Sequence, residues 1–288
     1  GQPVKIIKAT SDSEEGTLIA NGIFEVKMNE QLRNDAFAVL YRTNAQSRPF
    51  EELFFRLGIP YRVVGTVRFY AREEVKDAIA WLALLANGRD EIAFRRVVNR
   101  PARGVGRSSV ERIIGSWRED GGTLWDACRR VGPRLSAKAR AGLADFVAAR
   151  DEMAGLLDSL PLGALLQAAL ERTGLTRHYA ERDRADGTAK AGNLEELVNA
   201  TAGYPPGVEG LTRFLEHCAL NAAPEEAEDE GAGPARVTLI TLHNTKGLEF
   251  DRVVVTGLEE GIFPHESGLH DPDEIEEERR LFYVGVTR

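Results

Sequence analysis

The chain has 288 residues, 43% of them hydrophobic and 28% charged, the make-up of an ordinary globular protein long enough for two domains. Its 37 Lys and Arg stand against 45 Asp and Glu, a net charge of -8, which excludes a uniformly basic nucleic-acid coat. No run of about 18 apolar residues exists to span a membrane, the first ten residues lack the regions of a secretory leader, and Cys128 and Cys218 lack CxxC spacing, so both are expected as buried thiols in a reducing cytoplasm.

In chain order, VKIIKA at 4–9 reads as a strand and AFAVLYR at 36–42 as a stronger one. A helix is expected from near Ser47, with an early Pro49 and a stop at Gly58, and YRVVG follows as another strand. This β-α-β rhythm predicts a parallel sheet. From 66 to about 222 the pattern turns helical. EEVKDAIAWLALLANG stops at Asn87 and Gly88, Asp90 caps the next helix, Leu143 to Leu157 form an amphipathic stripe, and PLGALLQAALERTG opens on proline and closes on glycine. Asn193 with Glu196, and Ser108 with Glu111, read as capping boxes. PEEAEDEGAGP at 224–234 reads as a linker, after which VTLITL and RVVVTGL restore the strand pattern ahead of a charged helix from about Asp273. The expected organisation is α/β, a parallel-sheet domain from 1–65 and 235–288 interrupted by an all-α insertion at 66–234.

Charge is uneven along this frame. Two acidic runs, at 225–230 and 271–278, hold eleven acids; outside them 34 acids face 37 bases. Residues 95–118 hold seven arginines opposed only by Glu111, a strip suited to local phosphate contact.

Four segments carry candidate chemistry. In VTLITLHNTKGLEFDRVVVTGL a polar loop with His243, Lys246 and Glu249 lies between two strands; Lys246 suits a phosphate and Glu249 a ribose hydroxyl, and a plain polar turn explains the same residues. EEERRLFYVGVTR ends on Arg288, which is a helix-end charge unless a phosphate site adjoins it. YRTNAQSR places Arg42, Asn44 and Gln46 after a strand, for hydrogen bonding or for turn capping. NRPARGVGRSSVERIIG sets Arg103, Gly104, Val105, Gly106 and Arg107 between two helices, where small residues admit a phosphate to a helix N-terminus; a tight turn is the alternative. No GxxxxGK(S/T) phosphate loop occurs in the sequence.

These segments resemble a known family. TLHNTKGLEF is similar to motif V of the UvrD/PcrA/Rep-type superfamily 1 DNA helicases, EEERRLFYVGVTR to their motif VI, and YRTNAQSR to their motif IVa; PYRVVGTVRFYAREEVKDAIAWL and RPARGVGR also follow the family pattern. Asn244 and Thr245 depart from the small residues usual there.

The resemblance implies a RecA-like domain of P-loop NTPase type without its P-loop half, carrying a helical insertion: most of motor domain 2A and all of insertion 2B. It further implies that the Walker elements lie before Gly1 and a further strand after Arg288. Carried over by motif, Arg288 is the γ-phosphate arginine; Glu249, Lys246 and His243 serve the nucleotide; Arg42, Asn44, Thr241 and His265 touch single-stranded DNA; and 103–107 touch duplex DNA. ATP with magnesium, bound mainly by the other motor half, is the implied cofactor. Single-stranded DNA, a single-strand/duplex junction, the N-terminal motor domain and repair proteins are the implied partners. The implied activity is 3′ to 5′ helicase action in repair. The rivals are a non-enzymatic DNA-binding or regulatory module built on degenerate motor motifs, and a helicase-nuclease.

Overall fold

The computed structural model describes residues 3–222, 234–264 and 272–288. In chain order its helices and strands are α1 (Asp12–Glu30), β1 (Phe37–Tyr41), α2 (Ser47–Leu57), β2 (Tyr61–Val64), α3 (Glu73–Ala86), α4 (Glu91–Val97), α5 (Arg107–Asp120), α6 (Leu124–Val131), α7 (Ala137–Leu156), α8 (Leu162–Thr173), α9 (Leu175–Asp186), α10 (Lys190–Ala200), α11 (Gly207–Asn221), β3 (Val237–Thr241), β4 (Arg252–Val255) and α12 (Pro272–Val286). They form two units: one holds the described residues up to Phe69 and from Pro234 on, the other Tyr70 to Ala222.

The first unit is a parallel sheet in the order β2-β3-β1-β4. Val39 lies opposite Leu239 and Leu40 opposite Val255. Every residue of the two central strands is buried, as expected of a parallel sheet covered on both faces. Side chains alternate across the sheet. Val39, Tyr41 and Leu239 pack with Ile19 and Ile23 of α1 and Phe50 and Phe54 of α2. Ala38, Leu40 and Ile240 face the other way, against Leu242, Phe263 and Leu281. α2 ends where the sequence places its stop, at Gly58 in the left-handed region with φ 65°.

One sequence expectation fails in this unit and one element goes unforeseen. VKIIKA at 4–9 is not a strand: Val4, Ile6 and Ile7 are exposed, and no neighbouring strand takes up the backbone groups of this segment among the described residues. The following helix α1 was not expected. Ser11 caps it by accepting from the Glu14 N–H at 3.2 Å, and Ser11 to Glu14 is the S-x-x-E spacing that announces a helix start. Gly16 and Gly22 inside the helix blunt its apolar period.

The second unit is all helical. Its core centres on the Phe146 ring of α7, whose centroid lies 5.2 Å from Trp81, 5.3 Å from Trp125 and 6.1 Å from Phe94. Asp90 caps α4 by accepting from the Ala93 N–H at 2.9 Å, and Gly174 closes α8 with φ 77°. Asn193 is not a cap. It is buried inside α10, donates to Glu74 at 2.6 Å and accepts from Arg72 at 2.9 Å, because α10 lies against α3. Beside it Asp77 is fully buried. It accepts from the Tyr179 hydroxyl at 2.5 Å and pairs with Arg96 at 2.7 Å and Arg100 at 3.1 Å. Glu73 joins this cluster through Arg100, Arg182 and Lys190. Burial alone would raise its carboxyl, but Lys190, Arg100 and Arg182 outweigh burial and hold it at about 2.

Candidate nucleotide and nucleic-acid interface

Parallel strands put all their carboxyl ends on one edge, and the first group of candidate residues lies there. Arg42 follows β1. Its backbone N–H and that of Thr43 donate to the Gln46 side-chain carbonyl at 2.9 and 2.8 Å, which folds 44–46 into a tight turn ahead of α2. Asn44, half-buried, opens that turn. The Arg42 guanidinium forks onto Glu278 of α12: Nη2 donates at 2.7 Å and Nε at 2.9 and 3.1 Å to its two oxygens. Thr241 ends β3 and is buried. His243 follows on a tight turn at 242–245, fixed by the buried Thr245 hydroxyl donating to the Leu242 carbonyl at 2.7 Å. Partial burial, then the charge of Arg42, lower the His243 pKa, with Glu278 and Glu277 opposing. The structure therefore brings Arg42, His243 and Glu278 into one charged cluster. His265 lies outside the described residues.

The loop after β3 must cross to the opposite edge, because β4 runs parallel to β3. Lys246 and Glu249 are exposed along it. At its far end the Phe250 N–H donates to the Arg288 carbonyl at 3.2 Å, which joins the loop to the residues after α12. The Arg288 Nε donates to the Val284 carbonyl at 3.3 Å, and Arg288 forms no ion pair among the described residues. α12 approaches this loop closely because Gly285 has no side chain: a Cβ there would run into the Leu242 side chain. An exposed lysine, an exposed carboxylate and a half-buried arginine with no counter-ion among the described residues fit the phosphate and ribose ends of a nucleotide met from one side.

In the helical unit the 99–106 segment is built by Asn99. Its side-chain oxygen accepts from the Arg103 N–H at 2.7 Å and the Val105 N–H at 3.1 Å. Val105 is buried as an anchor, whereas Gly106 and Arg107 are exposed at the start of α5. Gly104 takes φ 77°, and Gly106 has open space where a Cβ would stand. Ser108 is not a cap. Gly106 holds the cap position without a side-chain bond, Ser108 lies inside the first turn, and Glu111 pairs with Arg95 instead.

The seven-arginine strip is largely internal structure. Arg95 and Arg118 pair with Glu91, and Arg96 and Arg100 with Asp77. The Arg103 guanidinium donates to the carbonyls of Val97, Arg100, Pro101 and Thr173. Arg107 and Arg112 carry no ion pair among the described residues. Glu278, Asn99 and Gly285 are the residues sequence reading passed over. Glu278 was hidden in an acidic run, and only its position in space separates it from its neighbours.

A RecA-like parallel sheet, interrupted by a helical insertion and carrying these loops at its strand ends, is a motor-domain fold. The model of the UvrD-like helicase C-terminal domain matches residues 1–129 and 162–288. The chain belongs to the UvrD-like helicase family, as a C-terminal region of it. It is 40% identical to the ATP-dependent DNA helicase UvrD1 of Mycobacterium tuberculosis, over 97% of this chain and 38% of that protein. It is 37% identical to DNA helicase II of Escherichia coli K12, over 100% of this chain and 40% of that protein. It is 36% identical to the ATP-dependent DNA helicase PcrA of Bacillus subtilis, over 99% of this chain and 40% of that protein. The chain thus spans about 40% of the length of these relatives.

Proposed function

We propose that this chain is the 2A motor domain with its 2B insertion from an ATP-dependent DNA helicase that moves 3′ to 5′ and serves DNA repair. The observation that carries the reading is the paired arrangement in one unit: Arg42 and His243 at the strand ends, and Glu249, Phe250 and Arg288 at the other end of the same loop and helix. Arg42, Asn44, Thr241 and His265 form the single-strand track. Arg288, Glu249 and Lys246 face ATP and its magnesium, held mainly by the N-terminal motor domain. There Arg288 offers positive charge where negative charge gathers on the transferring phosphoryl group, and Glu249 accepts from the ribose.

Domain 2B, the helical unit, meets the duplex at a single-strand/duplex junction through the backbone of 104–106 and through Arg107. Phosphates carry no sequence information, so this contact positions and does not select. Closure of the two motor domains around nucleotide and reopening after hydrolysis shift the strand, because its contacts differ between the two states.

The test uses the full-length protein: ATP turnover with and without single-stranded DNA, and unwinding of a duplex carrying a 3′ or a 5′ tail. Strand-stimulated turnover with unwinding from the 3′ tail alone is expected. No turnover under any DNA condition would leave a DNA-binding module.

A further inference from the structure

The guanidinium of Arg42 is not idle. Glu278, 8% exposed, takes both its Nε and its Nη2 in a forked ion pair of 2.7 to 3.1 Å. A carboxylate and a phosphate ask for the same fork, so a nucleic-acid backbone reaching Arg42 competes with Glu278. Glu278 stands in α12, and Arg288 follows the end of that helix, about 15 Å on at 1.5 Å per residue. α12 is seated on the loop after β3 at Gly285 and Leu242, and Arg288 is tied to that loop at Phe250. One helix therefore touches both ends of the site.

We propose that Glu278 is a positioning residue that gates Arg42, holding its guanidinium when no strand is bound and yielding it to a backbone phosphate when one is, so that strand binding is transmitted along α12 to Arg288. The proposal rests on the reading of Arg42 as a strand contact. Linkage makes the effect reciprocal: whatever nucleotide does to the seat of α12 returns as a change in strand affinity.

The experiment measures full-length protein binding to a fluorescein-labelled oligothymidylate across a salt series, with ATP turnover recorded with and without the oligonucleotide. Arg42→Ala should weaken binding and make the log–log salt slope shallower by about 0.7, one phosphate contact. Glu278→Gln should do the opposite to affinity, tightening binding about three- to tenfold because the competing charge is gone. The ratio of stimulated to unstimulated turnover should fall by about fivefold or more, within the range of ordinary site-to-site coupling. Glu278→Asp, which keeps the charge, should restore part of that ratio. It carries the same test if a melting curve shows that Glu278→Gln does not fold.

A brace without a gate predicts unchanged or weaker binding in Glu278→Gln and an unchanged ratio, and that result overturns the proposal. If Arg42→Ala leaves both affinity and salt slope untouched, the strand-contact reading fails first, and the gate with it.

Discussion

Arg288 owes its interest to what it lacks. A guanidinium whose one side-chain bond among the described residues is a 3.3 Å contact to its own helix is poised for an anion brought by something else. In the full-length protein Arg288→Ala should lower kcat by about 10³-fold, the scale of a lost arginine finger, measured as strand-stimulated ATP turnover. Near-normal kcat would remove Arg288 from the site. Glu73 is the opposite case, a residue saturated with partners. Its carboxyl is held at about 2 against an ordinary 4.5, so its contribution to stability is fully present above about pH 4.5 and is lost as pH falls toward 2. The melting temperature should drop across that window, and the part due to Glu73 should vanish in Glu73→Gln. A window of the same depth in that variant would assign the acid sensitivity to other carboxylates.

At the scale of elements, helix ends and the sheet were legible where a single residue type has one physical use. Gly58, Asp90 and Gly174 act as the sequence says because a left-handed residue and a short acceptor have few other roles. Ser108 and Asn193 misled because the same side chains also serve inside helices, and only the packing of α10 on α3 or the pairing of Glu111 with Arg95 decides between the uses. VKIIKA misled because β propensity makes a strand only beside another strand. The segment at 99–106 is where this bears on the proposed duplex contact. Asn99 and buried Val105 hold the loop from within, leaving Gly106 and Arg107 outside. Gly106→Leu should therefore fold, since nothing stands within 4 Å of its Cβ position and its φ is an ordinary -74°. It should lower duplex affinity about tenfold or more, roughly 1.4 kcal/mol, while leaving oligothymidylate binding intact. A duplex titration beside a melting curve decides: a stable variant with unchanged duplex affinity would reduce the hairpin to a turn between packed helices. Gly104 is the wrong place for this test, because at φ 77° any side chain is strained whatever it touches.

Across the whole molecule, the family was legible in short motifs while the site was only half legible. Arg42, His243, Glu249 and Arg288 stand out as candidates because their segments resemble family motifs, whereas type and spacing alone left a polar turn, a cap and a helix-end charge open. Glu278 acts through a partner 236 positions away in sequence, and no local pattern encodes such a distance. The same limit applies to the seven arginines, whose number suggested a DNA surface although most of them neutralise carboxylates or brace backbone carbonyls within their own unit. What 288 residues contain also bounds what they do. On the proposed reading the sequence offers candidates for one side of a nucleotide site: an arginine, a lysine and a carboxylate on exposed or half-buried positions, and no GxxxxGK(S/T) loop whose backbone N–H groups would cradle phosphates. Phosphoryl transfer is positioning and charge stabilisation, and an arginine without a cradle supplies the second but not the first. The isolated 1–288 chain should therefore bind DNA and show no measurable ATP turnover, with or without single-stranded DNA. Adding the N-terminal motor domain, as the full-length protein, should create strand-stimulated turnover that Arg288→Ala then removes. Turnover by the purified 1–288 chain that follows the protein through a sizing column would overturn this division of labour and require a second phosphate cradle within these residues.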